Sequence, residues 1–180
     1  MSAMFDLTQS DEELARLVVS EYPKDTDLSS SPLEKSFVLG RDGAKRDPAR
    51  YADIFGLALG MTDNPERLAS FALEQVNGLR RRDGLWEPDP VVFAMNGALA
   101  KATELPHDHP RRKRLRGLAN YNGGILFRNL GQFEKAANYQ MAAAALELAA
   151  GNPDKSAISL FCAQVERTSD AFMSGDPDRI

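Results

Sequence analysis

Five basic side chains, Arg111, Arg112, Lys113, Arg114 and Arg116, fall within six positions of a chain with 22 basic and 26 acidic residues. Groups of this type in this density suit one task, the holding of an anion: an acidic peptide, a phosphate or RNA. They stand at the start of a predicted helix, where the macrodipole disfavours cations by roughly 0.3–1 kcal/mol each. The competing reading is a solvated face whose charges pair with Glu104 and Asp108. No aromatic residue interleaves with the run and the net charge is −4, which argues against nucleic acid. Arg80, Arg81 and Arg82 close another predicted helix, where cations are favoured, and need no function.

Other chemistry-bearing residues are few. His107 and His109, the only histidines, flank Asp108 between Pro106 and Pro110. They could ligate a metal, but no third ligand is identifiable, so no metal site is assigned. Cys162, the only cysteine, lies among Phe161, Ala163 and Val165 with no visible base, as a core residue would. Tyr121, Asn122, Asn138 and Gln140 could line a groove between helices and read a peptide backbone, or satisfy helix ends. Nucleotide-binding, zinc-protease and serine-hydrolase signatures are absent, so no catalytic residue and no cofactor are assigned and an enzyme is not expected.

Helices must position these groups. Ser10 and Glu13 form a capping box that opens a helix to Tyr22, with Leu14, Leu17 and Val18 inward. A rule then repeats: Ser31-Pro32, Asp47-Pro48, Asn64-Pro65, Asp89-Pro90, Asn152-Pro153 and, more weakly, His109-Pro110 each set a residue before a proline. Proline suits the first helical position, and the preceding residue caps the orphan amides. Helix starts are expected near residues 32, 48, 65, 90, 110 and 153. Leu33 to Leu39 reads as a short helix ending at Gly40, Asp25 to Ser31 and Arg41 to Arg46 as loops, and Asp83 to Glu87 as a turn that folds Trp86 back. Tyr51, Ile54, Phe55, Leu57 and Leu59 mark one apolar helix, ending at Gly60. Leu68, Phe71, Ala72, Gln75, Val76 and Leu79 mark the next, and Val92, Met95, Leu99 and Ala102 a third. No alternating β-branched run appears, so no strands are expected.

The stretch from Arg111 to Ala150 reads as two helices around Leu130-Gly131-Gln132. Leu115, Leu118, Asn122, Ile125 and Leu126 share one face of the first. Phe133, Ala136, Ala137, Gln140, Ala143 and Ala144 share one face of the second. Gly123 and Gly124 sit mid-helix, where glycine costs up to ~1 kcal/mol against alanine, so a close approach to the alanine face, Ala136 and Ala143 above all, is expected. These residues resemble one tetratricopeptide repeat, a helix–turn–helix of about 34 residues, over Leu118 to Ala150. Gly124, Phe127, the turn, Ala136 and Ala143 fit its pattern. Asn120, Gly123 and Gln140 depart from it. The resemblance implies an antiparallel hairpin and a groove that holds a partner segment.

In the last helix, Pro153 to Met173, Ile158, Phe161, Val165, Thr168 and Phe172 recur at heptad spacing. It either caps the stack or meets another subunit to form a homo-oligomer.

A hydrophobic content of 43% and charge of 27% fit a globular chain. The longest apolar run, 141 to 146, is too short for a membrane span, and no signal segment is visible, so a cytoplasmic protein is expected. The expectation is a single all-α domain over 1–180, with short N-terminal helices and loops over 1–46. A helical-hairpin array like a tetratricopeptide superhelix follows over 47–180, making about seven or eight helices in all. Its expected function is protein–protein interaction, as an adaptor or chaperone-like module for a protein or peptide. Arg111, Arg112, Arg114, Arg116, Tyr121, Asn122, Asn138 and Gln140 would form the partner-binding set. Two alternatives stand beside it: a small regulatory protein that takes an anionic partner or nucleic acid through 111–116, and a metal-binding or enzymatic domain using His107 and His109.

Overall fold

A computed structural model describes residues 7–21, 38–40, 42–81 and 88–175. Among them every regular element is helical: α1 (Asp11–Glu21), α2 (Gly43–Arg46), α3 (Pro48–Leu59), α4 (Pro65–Leu79), α5 (Pro88–Glu104), α6 (Arg112–Asn129), α7 (Phe133–Ala149) and α8 (Pro153–Ser174). The all-α class is as expected. The expected features over 22–37 and 82–87 lie outside the described residues. Contacts divide the chain into two compact units, Met1–Lys101 and Ala102–Ile180.

In the first unit, α1 starts at the capping box. The Glu13 amide donates to Ser10 Oγ at 3.3 Å and the Ser10 amide to Glu13 Oε2 at 2.9 Å. These bonds to the ionised form hold the Glu13 carboxyl below its ordinary pKa. Leu14, Ala15 and Val18 are buried, and Arg50 of α3 ties down the helix start through Asp11 (2.8 Å) and the Gln9 carbonyl (2.7 Å). Asp47 and Asn64 cap α3 and α4 by accepting from the Arg50 and Arg67 amides, at 3.1 and 3.0 Å, and both prolines sit in the first turn. Tyr51, Ile54, Phe55 and Phe71 join Leu14, Val18 and Leu39 in the core, with Tyr51 and Phe55 rings 4.7 Å apart. Leu57 of the same apolar helix is 40% exposed.

Two expectations need correction, and two helix starts fall close to the expected places without coinciding with them. Arg41 to Arg46 is not all loop: Gly43–Arg46 makes one helical turn, because Gly43 lacks a Cβ that would collide with the Val38 carbonyl. α5 begins at Pro88, and α6 at Arg112, where a turn through His109 (His109 N to the Pro106 carbonyl, 3.0 Å) delays the helix past Pro110. Asn152 does not cap α8 with its side chain; its Nδ2 donates instead to Glu147 Oε2 at 2.8 Å.

In the second unit, α6, α7 and α8 follow one another through two turns of the same design. Gly131 (φ 70°) and Gly151 (φ 80°) take the left-handed conformation. The next amide in each, Gln132 or Asn152, reaches back 2.9 Å to the carbonyl of Phe127 or Glu147. Short turns make the neighbours antiparallel, and α7 packs on both α6 and α8.

The glycines of α6 do not meet the alanines of α7 in the way expected. A Cβ on Gly124 would lie 2.7 Å from Gln140 Cγ, one on Gly123 2.6 Å from Tyr139 Cδ1, and one on Gly117 2.9 Å from Glu147 Oε1. The close approach is real, but larger side chains fill it. Tyr139 also stacks on Phe127 at 5.1 Å, and Gln140 Nε2 reaches the Tyr121 carbonyl at 3.4 Å. Ala136 and Ala143 are buried beside them.

Glycines elsewhere differ in the same testable way. A Cβ on Gly78 would meet backbone, the Pro48 carbonyl oxygen at 2.8 Å and the Ala52 nitrogen at 2.9 Å, whereas one on Gly97 would meet nothing within 4 Å. Gly97→Ala is expected to stabilise by roughly 0.5–1 kcal/mol through helix propensity. Gly78→Ala is expected to destabilise by about 1–3 kcal/mol through forced backbone shifts. Urea denaturation of both variants checks the opposite signs.

Candidate functional site: a basic cleft and an outward apolar face

The first candidate site is built from the 105–111 loop, the start of α6 and the α7–α8 turn. Arg112 shapes it from below. Although counted among the partner-binding residues from sequence, it is buried, and its guanidinium donates to the Thr103 carbonyl at 2.9 Å and to His107 Nδ1. Its role is to hold the loop to the end of α5, not to meet a partner. The neighbours remain available. Arg114 and Arg116 are half-buried, and neither makes an ion pair or hydrogen bond through its side chain among the described residues. Glu104 and Asp108, the expected counter-charges, pair with none of the run. Lys113 Nζ reaches only the Ala149 carbonyl, at 3.4 Å.

His107, Asp108, His109, Lys113, Arg114 and Asn152 line a cleft of about 500 Å³ here. The two imidazoles share a tautomer. His107 Nδ1 faces an Arg112 N–H, and His109 Nδ1 accepts from the Arg111 amide at 3.3 Å. A guanidinium and an amide can only donate, so each neutral ring carries its proton on Nε2. Among the described residues no group of three or more His, Cys, Asp or Glu side chains is placed to hold a metal.

The rest of the predicted set is scattered. Tyr121 joins Leu118, Glu147, Lys155, Ile158 and Ser159 around a smaller cleft of about 190 Å³ between α6 and α8. Asn122 is turned to its own helix, donating to the Leu118 carbonyl at 3.0 Å. Gln140 is buried against Gly124, so it is a packing residue. Asn138 is exposed on α7, and Arg111 is half-buried.

The second candidate site is the last helix, read from sequence as either a cap on the stack or a contact with another subunit. The inner face of α8 is small and polar: Ser156, Ser159, Ala163 and Glu166 are buried with Ala171. Its apolar residues point out, with Phe161 71% exposed, Phe172 78%, Ile158 54% and Val165 43%. A terminal cap with a polar outer surface would show the reverse. Comparing the two faces of the helix in sequence carried the signal, since the small residues recur at the spacing that packs closely on a neighbour.

The buried Glu166 carboxylate faces Arg128 Nε at 3.7 Å, and Oε2 has no hydrogen-bond partner. Desolvation pushes its carboxyl above the ordinary range, with Arg128 pulling the other way. No helix among the described residues is long and apolar enough to cross a membrane. No family model, curated protein or solved structure matches the chain.

Glu166 yields a pH prediction. The folded state holds this proton more tightly than the unfolded chain, so its ionisation opposes folding as pH rises above about 4.5, the ordinary value. Glu166→Gln is expected to raise Tm at neutral pH, with a gain that disappears as pH falls below that value. Thermal melts at several pH values check it, and a gain that does not change with pH would contradict it.

Proposed function

We propose that this chain is a protein-interaction module whose working surface is the outward stripe of α8, and that its occupant is the α8 helix of a second copy. One observation carries the reading: the helix packs its small and polar side inward and leaves Ile158, Phe161, Val165 and Phe172 exposed at heptad spacing.

Three features favour a second copy as occupant. The residues flanking the stripe, Ala157, Cys162, Gln164 and Ser169, carry no charge, so two identical helices meet without like-charge repulsion. The hydroxyls in or beside the stripe are already satisfied: Thr168 donates to the Gln164 carbonyl at 3.0 Å and Ser169 to that of Val165 at 2.9 Å. Burying these hydroxyls in an interface leaves neither donor stranded. The stripe offers on the order of 500 Å² of apolar surface per copy, or ~1,000 Å² for a pair, which reaches the lower bound for a specific interface. The cleft at Leu118 and Tyr121 adjoins Ile158 and extends the same apolar surface toward α6.

Light scattering behind size exclusion tests this across low to high micromolar concentration. The expected result is a dimer that dissociates on dilution. Phe161→Glu combined with Val165→Glu is expected to give a monomer with unchanged helical circular dichroism. A wild-type chain that stays monomeric throughout, or a double variant that dimerises as well as wild type, would overturn the reading.

A further inference from the structure

We infer that the cleft between α6 and α8 is the socket for Phe172 of a second copy, so that the two α8 helices pair antiparallel. The inference rests on the pairing of α8 proposed above. It says which way round the copies meet and what anchors them.

The spacing of the stripe sets the alignment. Val165 stands seven residues from Ile158 and seven from Phe172. A two-fold axis through Val165 therefore places Ile158 opposite Phe172 of the second copy, and by the same symmetry Phe172 opposite its Ile158. Any other antiparallel register overlaps less of the stripe and leaves apolar surface in water.

That alignment brings a ring to the one place shaped for it. The cleft opens beside Ile158 and is walled by Leu118 and Tyr121 of α6, with Ser159 of α8 behind. Its volume, about 190 Å³, falls below the ~300–1,000 Å³ of a pocket for a drug-sized ligand and suits a single large side chain. Phe172 is the most exposed apolar residue of the stripe. Seated in the cleft, it becomes a buried aromatic anchor, the kind of contact that carries most of the energy of an interface.

Charge favours the same orientation. In a parallel pair Asp154 and Lys155 would each approach their own counterparts, and Ile158 would meet Ile158, leaving both clefts without a ring. In the antiparallel pair residues 155–158 face residues 172–175 of the second copy, and Lys155 is the only charged residue among them. Opposite helix ends then lie together. Glu147 and Lys155 also border the cleft. Glu147 is buried with its carboxylate held by Asn152, and an uncharged ring displaces nothing from it. Lys155 is exposed, so its stem can lie along the ring while its ammonium stays in water near the negative end of the second helix.

The test uses the full chain at a concentration where light scattering shows the pair. A mixture of isotope-labelled and unlabelled chain is expected to give intermolecular nuclear Overhauser effects from the Phe172 ring to the Leu118 and Ile158 methyls. Nitroxide labels at Asp154→Cys in a Cys162→Ser background are expected roughly 30 Å or more apart, since position 154 lies 11 residues from the axis and each residue advances ~1.5 Å. A parallel pair would hold them within ~20 Å. Phe172→Ala, at an exposed position, is expected to weaken pairing at least ~tenfold with the helical circular dichroism unchanged. A pair with close labels, a pair without those effects from Phe172, or an affinity that survives Phe172→Ala would overturn this inference and leave the pairing of α8 standing. If the labelled chain does not pair, the Overhauser effects in the wild type decide. A chain that is monomeric at every concentration overturns both.

Discussion

A row of glycines on α6 receives the large side chains of α7, and the second unit depends on that interlock. Gly117 accommodates Glu147, Gly123 accommodates Tyr139 and Gly124 accommodates Gln140. Between Gly117 and the Gly123–Gly124 pair position rises along α6 while it falls from Glu147 to the Tyr139–Gln140 pair along α7, so the contacts together define an antiparallel register. Two further ties hold the arrangement: Tyr139 lies on the Phe127 ring, over which Lys135 sits at 3.8 Å, and Gly131 turns the chain tightly enough to bring the helices together.

The register passes to α8 through one residue. Glu147 is buried with its carboxylate beside Gly117 on one side and bonded to Asn152 on the other. Asn152 is thereby drawn away from capping α8 and holds the second turn instead. With α7 facing α6 through its aromatic and amide side chains, the side left for α8 is fitted by small residues. Ser156, Ser159 and Ala163 allow α8 close, and its large apolar residues have nowhere to go but out. The price is the buried Glu166 carboxylate, answered only by a half-exposed Arg128.

Local punctuation was legible in the sequence because its causes are local. Ser10 with Glu13, Asp47 with Pro48, Asn64 with Pro65 and the glycine at 131 each act within four residues, and each is found at or next to the expected place. The glycine pair on α6 was legible as a close approach, but not its partner. An alanine face is the simplest complement to glycine, and only the three-dimensional register shows that Gln140 and Tyr139 fall opposite. The same limit applies to the basic run. Charge type and spacing marked 111–116, but Arg112 is withdrawn into the loop and Arg114 is left without a counter-charge by which way each position faces. The heptad on α8 could be counted in sequence. Which side of it faces the protein depends on what α7 has left open.

The orientation of α8 is the claim on which the account turns, and paramagnetic relaxation by a soluble agent measures it directly. In dilute solution, the ring protons of Phe161 and Phe172 should relax strongly while the Ser159 and Ala163 side chains stay protected, and concentrating the sample should protect the Phe161 ring. Protected rings at high dilution, with Ser159 and Ala163 relaxed, would mean that the helix is turned over and would contradict the account.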